Sequence, residues 1–241
     1  MARLRIIHTS DLHNRLEREG AEALAFLRET TGALLLDSGD AVGAGNVWVR
    51  RAEPILELMN LAGYHAMAVG NREFYFRKRG LLHKTAAAKF AVLSANLRAR
   101  EGDLGHIRPW TVLEAGGLRV GVFGLTREMI APGCWLGCFS DVRFVPWREA
   151  VTEAIEALRE RVDLLVALSH LGTRCERALA AEFAGVDLIL GGHAHDDLEE
   201  RAASGTLISH PGHHGTRAVL LEIERAPGGG LSVNRRVASV E

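Results

Sequence analysis

Val186-Asp187-Leu188-Ile189-Leu190-Gly191-Gly192-His193-Ala194-His195 is the stretch from which the rest of the chain can be read. A short, mostly apolar run bounded by turn residues reads as a buried strand. Two glycines then let the backbone turn without a Cβ clash. Two histidines follow, one residue apart. A His-x-His pair in a loop free of bulk, just past a buried strand, is one way a fold presents imidazoles to a metal. By itself the pair also fits two ordinary loop histidines, so the reading turns on whether the chain supplies matching ligands elsewhere.

Working outward, the same arrangement recurs. Leu4 to Ile7 reads as the first strand, and His8-Thr9-Ser10-Asp11-Leu12-His13-Asn14 follows as its loop. Helical spacing of Leu16, Ala23, Leu24, Phe26 and Leu27 predicts a helix up to Thr30, ended by Gly32. Ala33 to Leu36 is a strand with Asp37-Ser38-Gly39-Asp40 at its tip, and the glycine-rich run after Ala41 reads as a ligand-facing edge. Pro54 starts a helix at a favourable first-turn position. Ala66 to Val69 is a strand tipped by Gly70-Asn71-Arg72-Glu73, Leu81 to Lys89 a helix, and Phe90 to Leu93 a strand leading into Ser94-Ala95-Asn96. Trp110 to Glu114 and Leu118 to Leu125, joined at Gly116-Gly117, are a hairpin. Arg127 to Ser140 is irregular and rich in large apolar residues, which fits a lid or, better, a packed loop. Trp147 to Arg161 is a helix, Asp163 to Leu168 a strand ending in Ser169-His170-Leu171-Gly172, and Arg174 to Phe183 a helix. Thr206 to Ser209 is a strand tipped by His210-Pro211-Gly212-His213-His214-Gly215, and Ala218 to Ile223 with Leu231 to Val237 make a closing hairpin. Strand–helix alternation in both halves, with hairpins late, predicts an α/β fold of two mixed sheets packed face to face with helices outside.

Asp11/His13, Asp40, Asn71, His170 and His193/His195 each follow an apolar strand at its C-terminal end. In α/β sheets those ends form the binding crevice. Singly, Asp11 reads as a helix cap, Asp40 and Asn71 as turn residues and His170 as a core histidine; together, these seven oxygen and nitrogen donors fall at strand ends. Two divalent metals roughly 3.5–4 Å apart, bridged by a carboxylate, need about that many ligands. With no thiolate in the set, mixed carboxylate, amide and imidazole donors suit manganese, iron, zinc or nickel.

Composition narrows the class. The 241 residues are 47% hydrophobic and 24% charged, which fits one globular domain over 1–241. A formal net charge of −1 gives no general basic surface for nucleic acid. No run of 18 apolar residues and no apolar leader appear, so a cytoplasmic protein without a membrane partner is expected. Cys134, Cys138 and Cys175 are too few for a zinc knuckle or a disulfide framework, and free thiols are expected.

The series Asp11-Leu12-His13, Gly39-Asp40, Gly70-Asn71-Arg72-Glu73, His170 and Gly192-His193-Ala194-His195 resembles the calcineurin-like metallophosphoesterases. Within them it is most similar to the catalytic domain of the 5′-nucleotidases, through Ile7-His8-Thr9-Ser10-Asp11-Leu12-His13, Ser94-Ala95-Asn96-Leu97 and the Gly212–Gly215 segment. The resemblance implies a four-layer α-β-β-α sandwich. It also implies one metal on Asp11, His13, Asp40 and His195 and a second on Asp40, Asn71, His170 and His193, Asp40 bridging. A shared water made acidic by both metals would attack phosphorus of a small phosphorylated substrate, such as a nucleotide, in line with the leaving oxygen.

Two departures from the family qualify this. Arg72 stands where the family has a histidine that stabilises the transition state and helps the leaving group, and Tyr75 stands where the nucleotidase-like members have the aspartate that orients it. Arginine stays protonated and cannot hand a proton to an alkoxide, but it can clamp phosphate oxygens. Arg72 is therefore expected to act as an electrostatic clamp, with substrates that have good leaving groups favoured. His213 and His214 are candidates for a replacement acid or are plain loop histidines. Glu73, Asp37 and His8 are candidates to orient ligands. The large C-terminal domain that grips the nucleoside in the nucleotidases has no counterpart in 1–241. Base recognition then falls to the Gly43–Trp48 loop, the Arg127–Ser140 segment or a second subunit, although core packing is the better reading for Trp48 and Trp135. The alternative from another class is a catalytically weakened metal- or nucleotide-binding protein on the same fold.

Overall fold

Along the apolar runs, successive side chains divide between two buried faces, the period-2 signature of strands covered on both sides. The structure is a computed structural model that describes residues 3–43, 53–131, 134–212, 217–225 and 230–239. In chain order its elements are β1 (Arg3–Thr9), α1 (Arg18–Thr31), β2 (Leu34–Asp37), α2 (Pro54–Ala62), β3 (Ala66–Ala68), α3 (Lys78–Thr85), β4 (Ala91–Leu93), β5 (Leu97–Ala99), β6 (Ile107–Arg108), β7 (Trp110–Ala115), β8 (Leu118–Thr126), β9 (Val142–Phe144), α4 (Trp147–Leu158), β10 (Leu164–His170), α5 (Thr173–Glu182), β11 (Leu188–Gly191), β12 (Asp197–Arg201), β13 (Leu207–Pro211), β14 (Arg217–Arg225) and β15 (Leu231–Ser239).

One sheet runs β15-β14-β1-β2-β3-β4-β6 and the other β12-β13-β11-β10-β8-β7; β5 and β9 pair separately. Strands β1 to β4 and β6 are parallel, as are β8, β10, β11 and β13, while hairpin strands close the edges antiparallel. The two expected hairpins, β7–β8 and β14–β15, thus fall where the sequence places them. Leu4, Ile6, Leu34, Leu36, Ala66 and Ala68 of the first sheet meet Val120, Val122, Leu164, Val166, Leu188 and Leu190 of the second in one inter-sheet core. The intervening residues turn outward. Ile7, Leu35 and Met67 pack under α1 and α2, and Phe123, Leu165 and Ile189 under α4 and α5. The result is the four-layer α-β-β-α sandwich.

The strand-to-strand polarity puts the C-terminal ends of β1, β2, β3, β10 and β11 along one rim. The sheets approach so closely there that a side chain on Gly124 of β8 would place its Cβ 2.3 Å from the Leu93 carbonyl oxygen of β4.

Several features depart from the sequence reading, the short strands β5, β6 and β9 among them. Helix α3 begins at Lys78, three residues before the expected start, because the distant Asp141 carboxylate accepts the Lys78 backbone N–H. It ends at Thr85 rather than Lys89 because Asn60 of α2 takes the Ala87 carbonyl and the Lys89 N–H at 2.8 Å each. Strand β12 is charged and alternating, and forms as an edge strand on β13 alone. The Arg127–Ser140 segment carries a short 3-10 turn, Trp135–Phe139. Core packing is not the role of Trp135: it is 70% exposed and meets Phe139, itself 63% exposed, edge to face. Trp135 and Phe144 help line a cavity of about 360 Å³ beneath that turn. Trp48 lies outside the described residues. Cys134, Cys138 and Cys175 are free thiols. Among the described residues no helix is long and apolar enough to cross a membrane.

Because backbone rather than a movable side chain blocks the space at Gly124, Gly124→Ala is expected to lower stability by about 3 kcal/mol. Urea unfolding of the metal-free protein checks this; the midpoint should fall with the slope unchanged.

Candidate metal centre

At the rim, the β1 loop lies along the β2 loop and extends their parallel pairing. Asp11 N–H donates to Gly39 O and His13 N–H to Asp40 O, both at 3.0 Å, and Asn14 N–H to Ala41 O at 2.7 Å. Asp11, His13, Asp40, His193 and His195 all have positive φ, between 50° and 69°. This left-handed region is unfavourable for residues with a Cβ, and its concentration here marks strain that the surrounding fold imposes. Gly192 is required for close approach, since a Cβ there would lie 2.2 Å from Ser10 Oγ.

These loops bring the predicted donors together. Asp11, His13 and His195 form one group and Asp40, His170 and His193 a second; within each, the potential ligand atoms lie within 4.8 Å of one another. Asn71 joins the second group, its Oδ1 2.9 Å from His193 Nδ1 and 3.2 Å from His170 Nε2. Asp40 faces both groups, with Oδ2 3.7 Å from His13 Nε2 and Oδ1 3.3 Å from His170 Nε2. All seven sequence-predicted donors are thus at one place.

Whether these residues fit cations can be read from Asp11. Its Oδ2 accepts Ser10 Oγ–H at 2.6 Å and His193 N–H at 3.0 Å. Its Oδ1 is buried without a hydrogen bond, yet the Nε2 atoms of His195, His13 and His170 stand 3.3, 3.6 and 3.9 Å away. Buried carboxylate oxygens are ordinarily hydrogen-bonded. Three imidazole nitrogens gathered around one buried carboxylate oxygen are a donor set whose chemistry suits a divalent cation. The residues fit.

The supporting contacts fix each donor. His170 Nδ1 donates to Ser38 O at 2.8 Å, which leaves Nε2 to the site. Ser38 in turn accepts from His8 Nε2 at 2.7 Å and donates to Leu190 O at 2.6 Å. Glu73 is sealed and accepts the N–H groups of Asp40, Gly70 and Val42 at 2.8–3.0 Å, tying the β2 and β3 loops together. Asp37 accepts Thr9 Oγ–H and Gly39 N–H, so it shapes the β2 turn one layer behind the donors. Arg72 is held through its backbone, N–H to Asp40 Oδ1 at 2.7 Å and carbonyl from Lys84 Nζ at 2.5 Å, with its Nε 3.8 Å from Asp40 Oδ2. Tyr75 sits against Gly80, with the buried Lys84 ammonium 5.9 Å from its ring centre. Ser10, Ser38 and Lys84 were not singled out by sequence; only Ser10 and Ser38 lie within the motifs. His213 and His214 lie outside the described residues.

Electrostatically, the site holds cationic charge strongly. Burial opposes the charge on His170, but Asp40, by charge and by hydrogen bond, and then Asp11 and Glu73 overcome it and raise its pKa to about 10. Burial likewise pushes Asp40 up, and His170 and His13 override it, keeping Asp40 well below the usual carboxylate range. Burial, then the charge of His170, then that of Arg127 lowers His193 to about 4.

Without metal, His170 therefore carries at neutral pH a proton that a cation must displace. Mn²⁺ binding at pH 7 is expected to release about one proton, and affinity should rise with pH toward 10. Calorimetry in buffers of different ionisation enthalpy measures the release, which His170→Gln should remove.

The comparisons agree with this geometry. A family model described as calcineurin-like phosphoesterase matches residues 4–197. The chain is 32% identical to the 5′-nucleotidase of Rattus norvegicus over 228 residues, covering 81% of this chain and 38% of that protein, and 31% identical to that of Homo sapiens over the same shares. Among solved structures it resembles a 5′-nucleotidase precursor from Thermus thermophilus, with 28% identity and a TM-score of 0.82 over 98% of this chain and 54% of that one. It therefore spans about two fifths to one half of these relatives' length. With matching motifs, matching layers and two donor groups sharing Asp40, the chain belongs to the calcineurin-like phosphoesterase family.

Proposed function

We propose that the protein is a metal-dependent phosphoric ester hydrolase that acts on small phosphorylated substrates, nucleotides among them. The observation that carries the reading is the pair of donor groups with Asp40 facing both. Asp11, His13, Asp40 and His195 would hold one divalent cation and Asp40, Asn71, His170 and His193 a second. Mixed oxygen and nitrogen donors suit manganese, iron, zinc or nickel. Two such ions supply Lewis-acid polarisation of phosphoryl oxygens and an acidified water.

The chain's own residues do the rest. The carboxylates of Asp11 and Asp40 are kept ionised by the imidazoles around them, and the strained loops hold Asp11, His13, Asp40, His193 and His195 before a substrate arrives, so little reorganisation is needed. Arg72, fixed through its backbone N–H and carbonyl, projects a guanidinium beside Asp40 and is placed to bind phosphoryl oxygens as their charge grows. Being permanently protonated, it stabilises charge without transferring a proton. The 5′-nucleotidase relatives support a nucleotide as one substrate.

With Mn²⁺ loaded, p-nitrophenyl phosphate should be turned over, and Asp40→Asn should abolish this together with binding of one metal equivalent. Arg72→Ala is expected to lower kcat/KM on the same ester about 10–100-fold, as loss of a charge-assisted contact does, with Arg72→Lys intermediate. An unchanged rate in Arg72→Ala would remove the clamp, and full metal loading without turnover of any phosphoester would leave a binding protein instead.

A further inference from the structure

The loop that carries His193 and His195 is short and strained. Ala194 N–H donates to Gly192 O at 2.8 Å, a bond that spans a single residue, and His193 between them has a φ of 69°. These are the marks of a γ-turn with positive φ, a rare and strained form. His195 follows with a φ of 62°. Such a backbone keeps its shape only where its surroundings over-determine it.

Two elements outside the donor set hold the ends of this loop. At the near end, Gly191 closes β11. Buried Glu176, in the first turn of α5, and buried His210, in β13, meet behind it, with Oε2 and Nε2 2.6 Å apart. They lie so close to the Gly191 backbone that a Cβ there would fall 2.1 Å from His210 Nε2 and 2.6 Å from Glu176 Oε2. At the far end, Asp196 follows His195. Its Oδ2 accepts Thr173 Oγ–H of α5 at 2.5 Å, and its carbonyl accepts Gly212 N–H, just past β13, at 2.8 Å. The same helix and the same strand thus grip the loop at both ends, and the Glu176–His210 bond joins helix to strand. Helix α5 also begins three residues after His170, so the frame ties the His170 segment to the His193–His195 loop.

Stability alone does not account for the buried pair. Among the described residues, Glu176 Oε1 and His210 Nδ1 are buried without a hydrogen bond. Apolar side chains of similar volume stabilise such a place as well or better. What an apolar pair lacks is direction. A hydrogen bond sets the separation of α5 and β13, and with it the span that the strained loop must bridge.

We propose that Thr173, Glu176 and His210 are positioning residues that hold His193 and His195 in their metal-binding geometry. This rests on the metal-holding role given to those histidines above. The three act through Gly191 and Asp196, not by contact with metal or substrate.

Calorimetric titration of the metal-free full chain with Mn²⁺ tests this, beside urea unfolding of the same samples. Wild type should take up two Mn²⁺ equivalents. Thr173→Val should weaken at least one of them about 10-fold, the lower end of the loss when an outer hydrogen-bond partner is removed from a metal site. Thr173→Ser keeps the hydroxyl and should stay within about three-fold of wild type. The double variant Glu176→Leu/His210→Leu should also bind about 10-fold more weakly, with a metal-free urea midpoint no lower than that of wild type. A merely structural pair would lower midpoint and affinity together. If the double variant does not fold, the two Thr173 variants decide. Wild-type affinity in Thr173→Val, or Thr173→Ser as weak as Thr173→Val, overturns the proposal while two equivalents bound by wild type keep the metal reading. Wild type that binds no Mn²⁺ overturns both.

Discussion

Asp40 is the contact on which the site depends. Its two oxygens face different imidazoles, its backbone N–H and carbonyl tie the β2 loop to Glu73 and to His13, and its ionisation is secured by His170. A buried carboxylate without such partners would take up a proton. With them, it stays charged and holds two donor groups in one register. The neighbouring elements deliver its partners: His13 from the β1 loop, Arg72 and Glu73 from the β3 loop and His170 from β10.

The fold meets this demand through parallel strands. Parallel pairing sends β1, β2 and β3 of one sheet and β8, β10 and β11 of the other toward the same edge, and the inter-sheet core brings the two edges into contact. The donors then sit on short loops that leave rigid strands, which explains how five of them can be kept at positive φ. Such strain persists only where packing over-determines the backbone, and the hydrogen bonds between the β1 and β2 loops, the Glu73 clamp and the close approach at Gly192 supply that packing.

A site built in this way pulls strongly on positive charge. The charge on His170 in the metal-free state shows how strongly the buried carboxylates attract a cation. Arg72 sets a permanently protonated guanidinium beside Asp40.

Much of this was legible before folding. Apolar runs followed by Asp, Asn or His at their C-terminal ends named all seven donors, and the strand–helix order named the layers, because hydrophobic periodicity and strand-end chemistry are local properties of the chain. What tertiary structure alone decided are relations between distant segments. Asp141 sets where α3 begins and Asn60 where it ends; Lys84 holds the Arg72 carbonyl; Trp135 is left exposed; the charged strand β12 exists because β13 offers it an edge. None of these has a periodic or compositional signal, since each depends on hydrogen-bonding groups and surfaces that become neighbours only when the two sheets close on one another.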